Sequence, residues 1–213
     1  MTSRSEEEEL AVIRDWWQRN GKPLLAGGLL ALLIAAGWQS WQHHKTSQVQ
    51  SASAMYQQLV TLAMSGQKPD PAKVSELTQT LNSDFSGTAY AQYASLLLAR
   101  VAVDEGRLDD AASSLRKVVD APVEPTLGEL ARQRLARVLA TQHKTDEALA
   151  LLKGEASAAF IASREELRGD VLAQAGQRAD ARAAYEKARA AQKNANGAET
   201  LQIKLDNVTD GEA

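Results

Sequence analysis

From Pro23 to Trp41 the chain reads PLLAGGLLALLIAAGWQSW, with no charged side chain and with Gln39 and Ser40 as its only polar ones. A helix rises about 1.5 Å per residue and the hydrocarbon core of a bilayer is about 30 Å thick, so roughly 20 such residues suffice to cross it. Lipid offers backbone amides no partner, which forces a spanning segment of this kind to be helical. Trp38 and Trp41 share one helical face at the C-terminal end and Trp16 and Trp17 precede the other end. Indoles therefore flank the run as an aromatic belt does. The residues expected to carry the anchor are Pro23, Leu24, Gly27, Gly28, Leu32, Ile34, Trp38 and Trp41, and Gly27, Ala31 and Ala35 offer a small-residue face to another helix.

Two other readings compete. A buried core helix would need the rest of the chain to enclose a cylinder that is apolar all round. A cleaved signal peptide would be cut among the small residues Ala35 to Gly37. Against the second, residues 1–22 form a hydrophilic stretch ahead of the run and Trp38 follows the would-be cleavage site directly.

Lys and Arg close to the ends of a span set its direction. Arg4, Arg14, Arg19 and Lys22 precede the run, whereas Lys45 stands alone after it until Lys68. The expected organisation is a cytoplasmic segment (1–22), a transmembrane helix (23–41), a juxtamembrane linker (42–50), a helical domain across the membrane (51–208) and a frayed tail (209–213). In a Gram-negative host that far side is the periplasm. Within the first segment, Ser5 is a candidate helix cap and Glu6 to Glu9 complement the positive helix end. Leu10, Ile13 and Trp17 share a face, which suits either a helix at the membrane surface or an ordered tail.

Composition narrows the function. The 213 residues are 44% hydrophobic and 24% charged, a globular balance rich in good helix formers. A net charge of −3 without a basic stripe argues against nucleic acid as a partner. With no cysteine there is no thiol nucleophile, iron–sulfur site or Cys-rich zinc site. His43 and His44 fall in the expected linker and His143 in a turn, too few ligands for a metal site. No phosphate-binding loop, nucleophile elbow or zinc-protease motif occurs. Acidic residues at 109, 110, 146, 147, 165 and 166 are expected to lie mainly at helix starts, where the macrodipole explains them. The expectation is a protein without cofactor or catalytic residues.

Beyond Ser51, helical patterns alternate with breaks at Gly66 to Pro71, Gly87, Gly106, Pro122 to Pro125, Gly154, Gly176 and Asn194 to Gly197, and no run has the alternation of a strand. Three stretches align: LLLARVAVDEGRLDDAASSLRKVVD at 96–120, RLARVLATQHKTDEALALLKG at 134–154 and LRGDVLAQAGQRADARAAYEKARA at 167–190. The intervals between Ala111, Ala148 and Ala181 bracket the tetratricopeptide period of about 34 residues. Ala99, Ala136 and Gly169 take the small position of each first helix, where its partner crosses closely. Ala111, Ala148 and Ala181 are the reciprocal small residues, and Leu115, Leu152 and Tyr185 the large ones one turn on. Gly106 and Gly176 suit the left-handed turn, whereas His143 in the same place fits it less well. The fold expected is all-α, one N-terminal transmembrane helix followed by a tetratricopeptide-like repeat domain, with an irregular helical bundle as the alternative. Residues 50–83 would add a degenerate pair in front, and a helix near 198–208 using Leu201, Ile203 and Leu205 would cover the open end.

Stacked helix pairs form a groove suited to holding another polypeptide. Physics thus reaches a membrane-tethered protein-binding scaffold, such as an envelope stress-response regulator or an envelope-assembly scaffold. The segment WWQRNGKPLLAGGLLALLIAAGWQSWQ at 16–42, with an acidic stretch before it and SASAMYQQL at 51–59 after it, resembles the YfgM-like family. ARQRLARVLATQHKTDEALALL and REELRGDVLAQAGQRADARAAYEKA are similar to that family's repeats, and Asn20-Gly21-Lys22 ahead of the Gly-rich run is the most specific part. The resemblance implies an ancillary subunit of the SecYEG translocon in the bacterial inner membrane, with a periplasmic repeat domain. It implies SecYEG, the folding factor PpiD and unfolded or nascent translocated proteins as partners, and a chaperone role.

Overall fold

The computed structural model describes residues 3–64, 70–193 and 195–209, and every regular element among them is an α-helix. These are α1 (Ser3–Met64), α2 (Pro71–Asp84), α3 (Ala89–Asp104), α4 (Leu108–Asp120), α5 (Pro125–Thr141), α6 (Thr145–Leu151), α7 (Ile161–Gln174), α8 (Arg178–Ala191) and α9 (Ala195–Thr209). The chain divides into two compact units, Met1–Gln50 and Ser51–Ala213. The expected break at Gly66 to Pro69, the tail residues 210–213 and the side chain of Leu24 lie outside the described residues.

The first unit is the N-terminal part of α1. Ser5 is already helical, so it does not hold the N-cap position expected of it, and its side chain lies, with those of Glu6 to Glu9, Leu10 and Ile13, outside the described residues. Leu25, Leu29, Leu30, Leu32, Leu33 and Ile34 are all more than half exposed, and the segment is long and apolar enough to cross a membrane. Such a surface is stable against lipid and costly against water. Pro23 sits within the helix and has no N–H to offer the carbonyl one turn back. Around it the Asn20 amide donates to the Trp16 carbonyl at 3.1 Å. The Trp17 indole lies over Gly21, 3.2 Å from where a Cβ would stand. Toward the other end, Trp38 and Trp41 meet with ring centroids 5.3 Å apart, and the Lys45 ammonium sits 4.1 Å above the Trp41 ring. Residues 42–50, expected as a linker, are helical without interruption. No Gly or Pro separates Gly37 from Gly66, and Thr46 turns its hydroxyl back onto the Gln42 carbonyl at 3.0 Å rather than capping a helix end.

The second unit is a stack of helix pairs. At its start, Ala52 and Leu59 of α1 share a buried core with Val74 and Leu81 of α2 and with Ala91, Ala94 and Val101 of α3. Three pairs follow: α3 with α4, α5 with α6, and α7 with α8. The small and large repeat residues Ala99, Ala111, Leu115, Ala136, Ala148 and Leu152 lie in one continuous buried cluster. Ala181 and Tyr185 lie in a second one with Leu201, Leu205 and Val208 of α9. On α9 the buried face is therefore 201, 205 and 208, at helical spacing, and Ile203 points outward at 58% exposure. The expected packing role of Ile203 is wrong.

Three turns join the helices within the pairs by one hydrogen-bond scheme. The N–H groups of Arg107, Lys144 and Gln177 donate five residues back, to Ala102, Leu139 and Leu172, at 2.8, 2.9 and 2.9 Å. These are Schellman caps, which need a left-handed residue just before. Gly106 and Gly176 supply it with φ of 76° each, and His143 supplies it with φ of 60°. The middle turn thus has the same geometry despite its residue. A non-glycine residue there costs about 1–2 kcal/mol, partly offset by the greater freedom glycine has when unfolded. His143→Gly is therefore expected to stabilise the domain by about 0.5–1 kcal/mol and raise its melting temperature by a few degrees. Thermal unfolding followed by circular dichroism checks this, and a lower melting temperature would contradict it.

Candidate functional site

Between α3 and α5 lies a groove of about 260 Å³ whose floor is Leu96, Ala99, Leu115 and Val138, with Val103 at its edge. The floor is apolar because these positions belong to the packing seam of the first two repeats. Its rim is cationic: Arg100 on α3, and Arg134 and Arg137 on α5, one helical turn apart. Arg100 is 3.8 Å from Asp104 in an exposed i,i+4 pair, a weak contact at a surface. No carboxylate among the described residues pairs with the side chains of Arg134 or Arg137. Partial burial, then the charges of Arg137 and Arg100, push the Arg134 guanidinium below its usual range.

The same face continues into three half-buried tyrosines. Tyr56 from the end of α1 lies 5.8 Å from Tyr90 and 5.9 Å from Tyr93, and those two meet edge-on at 6.1 Å. Burial and then Tyr93 raise the Tyr56 hydroxyl above its usual pKa, while Arg134 draws it down. Tyr93 stands one helical turn before Leu96 of the groove floor on α3, which sets the tyrosine cluster next to the groove. Tyrosines and arginines carry a disproportionate share of contact energy at protein interfaces.

Two polar networks hold the repeats in register, and neither was singled out in the sequence. Glu129 on α5 and Arg164 on α7 form a buried ion pair: Arg164 Nε donates to Glu129 Oε1 at 3.0 Å, and a second guanidinium nitrogen reaches Oε2 at very short range. Arg164 also donates to the carbonyls of Gly154 and Glu155, at 3.3 and 3.1 Å, and so ties down the loop after α6. Gln133 and Arg132 complete the carboxylate's partners at 2.9 and 3.0 Å. Burial pushes the Glu129 carboxyl up, but Arg164, Gln133 and Arg132 more than offset this and hold it below the usual range. In the second network Lys204 of α9 donates to Glu166 at 2.8 Å and to Asp170 at 2.6 Å, and the Tyr185 hydroxyl donates to Asp170 at 3.0 Å. Burial and then Asp170 raise the pKa of Tyr185, keeping it a neutral donor.

These networks correct one expectation. Asp109, Asp110, Asp146 and Glu147 stand in the first turns of α4 and α6. Glu165 and Glu166 lie deeper in α7, where they pair with Arg168 and Lys204 instead of meeting the helix end. The nine repeat residues are all buried. Of them Ala99 and Leu115 also reach the groove floor.

An exposed apolar helix long enough to cross a membrane, followed by stacked tetratricopeptide-like pairs with a grooved face, defines an all-helical repeat protein. The family described as tetratricopeptide repeat-like domain matches residues 14–210. Among curated proteins, the ancillary SecYEG translocon subunit of Escherichia coli K12 is 32% identical over 96% of this chain and 97% of its own length. The protein of that name from Neisseria gonorrhoeae is 31% identical over 95% and 97%, and that from Haemophilus influenzae 30% identical over 87% and 89%. The chain belongs to the family of ancillary SecYEG translocon subunits. No solved structure matches it.

Proposed function

We propose that the chain is itself an ancillary subunit of the SecYEG translocon, a single-pass inner-membrane protein whose repeat domain faces the periplasm and assists newly translocated proteins. The observation that carries this reading is the end-to-end likeness to relatives bearing that name, across anchor and repeats alike. The excess of Lys and Arg before the apolar run supports a cytoplasmic N-terminus. The grooved face with its tyrosines and arginines supports a domain that holds polypeptide rather than one that transforms a small molecule. A tether at the membrane raises the effective concentration of such a domain for chains emerging there. A PpiD-like folding factor is the expected neighbour.

Site-specific photo-crosslinking in inner-membrane vesicles tests this. Probes within residues 23–41 are expected to capture SecY, and probes along the groove to capture a PpiD-like protein or a nascent chain. A crosslinker active on a known neighbour but silent toward SecY would overturn the translocon assignment.

A further inference from the structure

The groove between α3 and α5 carries more chemistry than a generic peptide seat, and the inference drawn from it rests on the reading that this domain binds polypeptide. Three guanidiniums crowd its rim, and among the described residues no carboxylate pairs with Arg134 or Arg137. Like charges held together in this way repel one another, and that repulsion is relieved by an incoming anion. The floor beneath is apolar and the cavity is about 260 Å³. That is below the roughly 300–1,000 Å³ of a pocket that encloses a whole small molecule, and suits a single side-chain anchor. The tyrosines at 56, 90 and 93 extend the face beyond the cavity.

We propose that this groove accepts an acidic polypeptide segment, with one apolar side chain seated on Leu96, Leu115 and Val138 and its flanking carboxylates on Arg100, Arg134 and Arg137. Guanidinium forks match carboxylates bidentately, so the recognition favours Asp and Glu over a diffuse negative field. With a net charge of −3 the chain as a whole does not attract acidic segments, so the local guanidinium cluster over an apolar floor is what gives the site its selectivity.

The test uses the full-length protein in mild detergent and a fluorescent synthetic peptide with Asp and Glu around a central Leu, read by anisotropy. The acidic peptide is expected to bind and to weaken with added salt. Its affinity is expected to fall about tenfold in Arg134→Glu/Arg137→Glu. Arg134→Lys/Arg137→Lys keeps the charges and is expected to retain most of the binding. Both positions are exposed, so circular dichroism should match the parent. Equal binding of the peptide remade with Asn and Gln, no loss in the Glu variant, or displacement by inorganic phosphate at equal charge would each overturn the proposal. A parent chain that binds the acidic peptide yet yields no SecY crosslink supports the groove while overturning the translocon assignment.

Discussion

Glu129→Ala is expected to lower the stability of the repeat domain by about 3–5 kcal/mol, because it strands the Arg164 charge at 3% exposure. The loss is larger than that of a surface pair for a definite reason. A buried guanidinium keeps its desolvation penalty when its carboxylate goes, and it has only the Gly154 and Glu155 carbonyls left. Replacing both partners, Glu129→Leu with Arg164→Met, removes the stranded charge and is expected to recover part of the loss. Recovery stays incomplete because those two carbonyls lose their donor. Urea unfolding of the full-length protein in detergent measures all three variants, and a double variant worse than Glu129→Ala would refute this account. The pair also predicts a pH dependence. Folded Glu129 releases its proton more readily than the unfolded chain does. Its contribution is therefore full above the unfolded carboxyl pKa of about 4.3 and is lost as pH falls through the lower folded value. Glu129→Gln removes that dependence and should flatten the acid limb of the stability profile.

Gly169→Ala is the second large effect. A Cβ on Gly169 would stand 2.9 Å from Tyr185 Cζ and closer still to Cδ1 and Cε1. The ring has little room to retreat, since its hydroxyl is bonded to Asp170 and the Lys204 ammonium lies 5.8 Å from its centroid. Overpacking of this kind costs about 1–3 kcal/mol and sometimes more. The neighbouring repeats show the remedy. They place alanine against leucine at the same two positions, Ala99 with Leu115 and Ala136 with Leu152, where the third places glycine against tyrosine. Gly169→Ala combined with Tyr185→Leu is accordingly expected to be more stable than Gly169→Ala alone. Thermal melts of these two variants and of Tyr185→Leu alone decide it, and simple addition of the two single losses would show that the residues do not share one space.

Much of the architecture was legible because it is written in local signals. The Gly and Pro breaks near 106, 122, 154 and 176 and the recurring alanines mark helix ends and close crossings, which depend on nearest neighbours in the chain. The helix through residues 42–50 was less legible, since their polarity suggests a loop, yet polarity does not end a helix; a breaker does, and none is there. His143 misled in a similar way, since its turn is closed by backbone bonds that tolerate the residue at a cost. The candidate groove was less legible. Arg100, Arg134 and Arg137 are ordinary surface cations in sequence, and only the stacking of α3 on α5 brings them to one rim. Glu129 and Arg164 lie 35 residues apart, on different repeats, so no helical periodicity connects them. A cue existed in Gln133, one turn from Glu129, but it does not identify a partner on another helix.

The three matched turns have a consequence for how such a domain changes size. Arg107, Lys144 and Gln177 launch the following helix with φ of −85°, −88° and −84° and ψ of 67°, 60° and 67°. They behave as standard couplings, alike in geometry though built from different residues. A segment cut from one coupling to the next leaves matching ends, so a repeat unit is a transferable part that can be duplicated or deleted while each junction keeps its angle. The length of the repeat stack then becomes a quantity counted in whole units, open to engineering in steps of one repeat.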